Sequence, residues 1–187
     1  MPTIYSGTND GYIMTPIVIS HVTARQTTST LSFLVYASST GQGYDIGALY
    51  TPAGGRSPYP VYAMRRVFFE FDTSGISVTP ASADLKIYGN SQNSADFIVV
   101  KSEQSSPLHE YDIDAITGAA TAFSNSDGSG TGTLAGNVTL YSGLVAGSGW
   151  STSGYNTISL TLDARVDMRD LSLFKVCCIE YDHDYLY

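Results

Sequence analysis

The chemistry open to this chain starts with three histidines, His21, His109 and His183. None lies in a G-x-S-x-G nucleophile elbow, an H-E-x-x-H zinc motif or a phosphate-binding loop. His183 sits between Asp182 and Asp184, close to Glu180. That grouping would suit a cation, against the plainer expectation of a polar strand end in water. Asp112 and Asp114 share one face if their segment is extended, as ligands of a calcium loop do; a solvated loop is the simpler reading. Asp127-Gly-Ser-Gly resembles part of a calcium loop without its further ligands. Glycosidases place two carboxylates at a defined separation. Glu70, Asp72, Glu103, Glu110 and Asp163 are available, and nothing singles out a pair. Glu70 and Asp72 fall on the outward face of one strand beside Arg65 and Arg66, which reads as an ion-pair ladder. The expectation is a chain with no catalytic residue, no metal and no cofactor.

Cys177 and Cys178 are adjacent, and strand neighbours point to opposite faces. They are expected as free thiols, at least one packed as a small hydrophobe. Tyrosine is the more unusual feature, at 14 of 187 residues. Its ring offers rigid contact area with a polar tip. Tyr44, Tyr50, Tyr59 and Tyr62 cluster around one long loop and are the candidates for a ligand site or an interface. Trp150 follows a Gly-rich turn and is expected to plug one end of the core.

Charged residues make up only 14% of the chain, with three Lys and six Arg against 17 acidic residues. The net charge of −8 argues against a phosphate-binding surface, hence against nucleic acid. The polarity comes instead from 24 Ser, 19 Thr and 18 Gly. Ala, Glu, Lys and Leu do not dominate, so a helical bundle is not expected. No apolar run approaches the roughly 20 residues that span a bilayer. The first positive residue is Arg25, so the N-terminus has no signal-peptide pattern and synthesis in a cytoplasm is expected.

The elements that must carry these residues are strands. Val67, Phe69 and Phe71 alternate with Arg66, Phe68, Glu70 and Asp72, Leu85 and Ile87 with Asp84, Lys86 and Tyr88, and Ile158 and Leu160 with Thr157, Ser159 and Thr161. Each run has the period of a half-buried strand. Leu171 to Tyr181 is apolar on both faces, as a covered central strand is. Ile13 to Val22, Leu31 to Ala37, Phe97 to Lys101 and Asn137 to Tyr141 are weaker strand candidates. One short helix is expected over Asp163 to Asp170, capped by Asp163 with Val166 facing inward. Ser38 to Pro60 and Gly118 to Gly136 read as long Gly-rich loops. The fold expected is all-β: a jelly-roll-like antiparallel β-sandwich with at most one short helix. Residues 1–60 supply N-terminal strands, a long loop and an assembly arm. Residues 61–187 supply the sandwich core, and the two together form one domain.

Arg65-Arg66-Val67-Phe68-Phe69-Glu70-Phe71-Asp72 followed by Leu85-Lys86-Ile87-Tyr88 resembles the pattern of disaggregatase-related β-sandwich domains. Trp150 to Leu160 and Phe174 to Leu186 extend the likeness to β-sandwich proteins among tailed-phage structural genes. The resemblance spans roughly residues 60 to 187. It implies a jelly-roll-like sandwich akin to carbohydrate-binding modules, a virion or cell-surface role, and no catalytic residues to carry over. It also implies a further strand after Tyr181-Asp-His-Asp184. That strand is then absent, supplied by a neighbour or outside this sequence, and an open edge is a pairing site. The functional expectation is a non-enzymatic virion protein, such as a capsid decoration, tail or fibre module. It would assemble as a homo-oligomer with other virion proteins. A carbohydrate-binding module or adhesin that reads a host glycan is the alternative, and a polysaccharide-degrading enzyme ranks last. Phe69→Ala or Phe71→Ala is expected to cost about 3–5 kcal/mol in chemical denaturation if both rings are core.

Overall fold

The alternating run around Val67 forms the longest strand, β4 (Val61–Asp72), and the remaining elements are arranged on it. The computed structural model describes residues 2–26, 34–37, 46–54, 58–89, 95–123 and 132–187. On one side β4 pairs antiparallel with β1 (Gly11–Met14). On the other it pairs with β8 (Leu173–Glu180) along residues 67–72 and with β3 (Gly47–Thr51) along residues 61–65. β2 (Leu34–Ala37) flanks β1, and β6 (Phe97–Lys101) flanks β8. These strands make a six-stranded sheet. β5 (Asp84–Tyr88) and β7 (Tyr155–Ser159) form a separate two-stranded antiparallel sheet. The architecture is mainly β, in antiparallel sheets with few helices.

β4, β6 and β8 are buried on both faces, so the centre of the large sheet separates two apolar cores. Val67, Phe69, Val99, Phe174, Val176 and Cys178 point to one side and meet Leu85, Ile158 and Leu160 of the small sheet. Phe71, Ile87 and Trp150 pack against the same cluster, and Trp150 meets Phe97 edge-on at 5.4 Å. All eight core positions expected from sequence therefore lie on this side. Phe68, Ile98, Val100, Cys177 and Ile179 point the other way. They are covered by Ile113, Ile116, Ala119, Ala122, Leu134 and Val138. The adjacent cysteines thus enter opposite cores as free, buried thiols. Burial pushes the Cys178 thiol up to about 12.

The second core overturns the half-buried reading of β4. Its expected outward face carries Arg66 at 0% exposure, Phe68 at 0% and Glu70 at 7%. Only Asp72 is exposed. Sequence alternation between charged and apolar residues imitates a solvent face when the charges are in fact paired inside.

Helices exceed the single one expected. α1 (His21–Gln26) begins where a strand to Val22 was expected; Val18 still bridges Tyr62, and the Ser20 hydroxyl then accepts from Thr23 N at 3.3 Å. α2 (Ala119–Phe123) opens the expected second long loop, where alanines favour helix and two of them are buried. It follows Gly118, whose φ of +97° and whose approach to Asn137 leave no room for a Cβ. A 3-10 helix covers Glu110–Asp114. α3 (Leu162–Asp170) lies where a helix was expected, but Thr161 rather than Asp163 caps it and Ala164 rather than Val166 is the buried residue.

Within the first expected loop, β3 is a strand because β4 offers its first half as an edge. Asn137 to Tyr141 is not a strand; its one isolated bridge, Leu140 to Val100, and that of Val145 to Phe97 cover the outer edge of β6. β1 and β3 place the N-terminal third of the chain inside the main sheet. Among the described residues β8 is followed by a π-helical turn, Tyr181–Tyr185, and not by a strand.

Two faces predict a graded response to truncation. Phe68→Ala and Phe69→Ala are expected to cost about 3–5 kcal/mol in urea denaturation, and Phe71→Ala less, because its ring is only half-buried.

Candidate functional site

The charged residues that suggested chemistry are mostly spent on structure. Arg66 is fully buried in β4 and donates through Nε and Nη2 to the two carboxylate oxygens of Asp184, each at 2.7 Å. Its Nη1 donates to Ile113 O at 2.6 Å and its Nη2 to Arg25 O at 3.3 Å. Burial alone would lower the Arg66 pKa, but the Asp184 carboxylate outweighs it and the guanidinium is held firmly charged. Arg25, also buried, donates to the Asp184 carbonyl at 2.7 Å and lies over the rings of Phe123 and Tyr187. One guanidinium, that of Arg66, thus ties β4 to the C-terminal turn, α1 and the 3-10 helix.

This corrects the reading of the Asp182-His183-Asp184 segment. Asp182 and His183 are exposed, but Asp184 and Glu180 are buried, and Glu180 caps the turn at His183 N. The ion-pair ladder expected for Glu70 and Asp72 beside Arg65 and Arg66 is likewise replaced. Glu70 accepts from Ser106 Oγ at 2.9 Å and faces Lys175 at 3.5 Å. Asp72 accepts from the Ser74 backbone and hydroxyl, which lower its pKa. Asp112 is not a solvated ligand: it accepts from Ser105 N, Ser105 Oγ and His109 N and closes a capping box. Glu103 accepts from Thr117 Oγ1. Among the described residues no group of three His, Cys, Asp or Glu is placed to hold a metal. Asp127 lies outside the described residues.

The aromatic expectation leads to a cleft. Tyr50 of β3 and Tyr62 of β4 are cross-strand partners, with ring centroids 5.3 Å apart. They line a cleft of about 300 Å³ with Ala48, Leu49, His21, His183 and Tyr187. His21 contacts Tyr62 at 5.5 Å and Tyr187 at 4.2 Å, both edge-on, so the rings run in a chain from Tyr187 to Tyr50. Tyr59 is 61% exposed and stands outside this lining, and Tyr44 lies outside the described residues. Sequence reasoning named His21 and His183 but placed neither of them, nor Tyr187, beside the tyrosine cluster. Each is distant in sequence from the tyrosine cluster, and the only signal was the tyrosine density of the last seven residues.

Both ring nitrogens of His21 are buried, and neither meets the geometry of a hydrogen bond among the described residues. Burial first, then the charge of Arg25, holds its pKa below the ordinary imidazole value. The cleft wall is therefore a neutral imidazole among phenol rings. It can stack on a flat, uncharged ligand face and hydrogen-bond at its rim. A second, open groove of about 390 Å³ holds Lys101 and Lys175. Both ammonium groups are engaged, Lys101 by Asp167 at 2.9 Å and Lys175 by Gln104 O at 2.7 Å.

No family model matches the chain, nor does any curated protein or solved structure. Among the described residues no helix is long and apolar enough to cross a membrane.

Two measurements test the core of this site. Removing one partner of a buried ion pair leaves the other charge stranded. Arg66→Met or Asp184→Leu alone is expected to cost about 3–5 kcal/mol, and the double substitution much less than the sum. The second test is pH. Because the folded His21 pKa is lowered, the unfolded chain takes up the proton first as pH falls through 6.5. Stability should therefore drop below that value, and His21→Gln should flatten this part of the urea midpoint against pH.

Proposed function

We propose that this protein is a non-enzymatic structural component of a bacteriophage virion, a capsid decoration or a tail or fibre module, acting through protein–protein contact. The observation that carries the reading is the distribution of polar and apolar groups. Buried charges are consumed by internal contacts, while large apolar side chains stand at the surface. Tyr5 is 83% exposed, Ile17 59%, Ile19 66% and Tyr155 68%. Large exposed apolar groups on a chain poor in charge suit contact with other proteins. The strand motifs around Arg65 to Tyr88 support the virion setting through their likeness to phage structural domains. We read the small sheet packed on the large one as a jelly-roll-like sandwich of that kind. The expected location is the virion, after synthesis in the host cytoplasm.

A glycan-binding role is the second reading, favoured by the cleft of Tyr50, Tyr62, Tyr187 and His21. Aromatic faces stack on sugar rings, and the phenol hydroxyls at the rim suit sugar hydroxyl groups.

Purified virions test the first reading. The protein should co-purify at a fixed copy number and show assembly by light scattering. A strict monomer at high concentration, absent from particles, would contradict it. A glycan array tests the second reading: Tyr50→Ala and Tyr62→Ala should abolish a signal that Tyr59→Ala leaves intact. Absence of binding, or binding indifferent to all three, removes it.

A further inference from the structure

Among the described residues, the backbone on the outer edge of β5 pairs with no strand. Leu160 N donates to Ala83 O at 2.9 Å and Gly89 N to Gly154 O at 3.0 Å. With Leu85 opposite Ile158 and Ile87 opposite Asn156, these bonds fix the phase of the ladder. Leu85 and Ile87 turn their N–H and C=O groups towards β7, so Asp84, Lys86 and Tyr88 turn theirs outward. Among the described residues no strand pairs with that outer edge. The side chains of Asp84, Lys86 and Tyr88 are exposed, while Leu85 faces the core.

A lysine on an edge strand ordinarily discourages pairing. Here an aspartate stands two residues before it, and the two charges are self-complementary under a two-fold axis. In an antiparallel pair, outward-facing residues bond only to outward-facing residues. The register that sets Asp84 opposite the partner's Lys86 makes the reverse contact at the same time. Each of these pairs exchanges two N–H···O bonds. A shift of two residues in either direction sets Asp84 against Asp84 or Lys86 against Lys86, and directly opposed like charges are unfavourable.

We propose that β5 pairs with β5 of a second copy of this chain, Asp84 facing the partner's Lys86 in both directions. The two-stranded sheet, a unit of low intrinsic stability, then becomes the half of a continuous four-stranded one. This rests on the assembly reading and gives it a partner, a surface and a register. The symmetry is isologous, so the contact closes as a dimer.

Sedimentation equilibrium of the full chain tests it. The wild type should dimerise. Lys86→Asp and Asp84→Lys each place like charges across the axis twice and should each weaken self-association about tenfold. An equimolar mixture of the two variants should associate again, since one chain carries two carboxylates and the other two ammonium groups. The double variant D84K/K86D should self-associate like the wild type. Both side chains are exposed, and circular dichroism checks that each variant is folded. A monomeric wild type, or a dimer indifferent to these charges, overturns the proposal. A β5 dimer that stays off virions refutes the virion reading alone, and a monomer that binds virions refutes the dimer alone.

Discussion

The buried contact between Arg66 and Asp184 is the constraint on which the rest of this structure depends. A guanidinium with no access to water must find a carboxylate and further acceptors, or the strand that carries it cannot fold inward. Arg66 finds them on three other elements at once: the C-terminal turn, the 3-10 helix at Ile113 and α1 at Arg25. The apolar cover of the second core is therefore positioned by a polar device. Phe68, Cys177 and Ile179 need a lid, and the ion pair fixes where the parts of that lid sit.

The cleft follows from the same constraint. Asp184 holds the turn that carries His183, and Arg25 on α1 lies one helical turn from His21. With α1 and the turn both tied to β4, His21 and Tyr187 are brought against Tyr62, and the paired strands add Tyr50. The tyrosine load thereby divides. Tyr141 and Tyr185 are core residues, Tyr50, Tyr62 and Tyr187 line the cleft, and Tyr5, Tyr59, Tyr88 and Tyr155 face outward. The outward group and the exposed isoleucines form the apolar part of the surface, and the cleft is a distinct feature beside them.

One core was legible in the sequence and the other was not. Val67, Phe69, Leu85, Ile158 and Leu160 alternate with polar residues, and strand period alone places them together. The face carrying Arg66, Phe68 and Glu70 reads as solvent-facing because local pattern cannot distinguish an exposed arginine from one whose partner lies 118 residues away. β3 and α1 were missed for a related reason. Each is short and intrinsically weak, and each forms because β4 offers it an edge or a buried contact. His21 and Tyr187 owe their meeting to that same long-range packing, so no spacing in the sequence announces the cleft.

The central claim is that the ion pair makes α1, the 3-10 helix and the C-terminal turn one cooperative unit with β4. Native-state hydrogen exchange of the wild type and the conservative variant Asp184→Asn measures this directly. The account predicts that amides of Ala24, Asp112 and Leu186 exchange with the same opening free energy in the wild type and fall together in the variant, while the β5–β7 sheet is unchanged. Independent, unequal openings of those three amides in the wild type, or loss of protection confined to the turn in the variant, would contradict it.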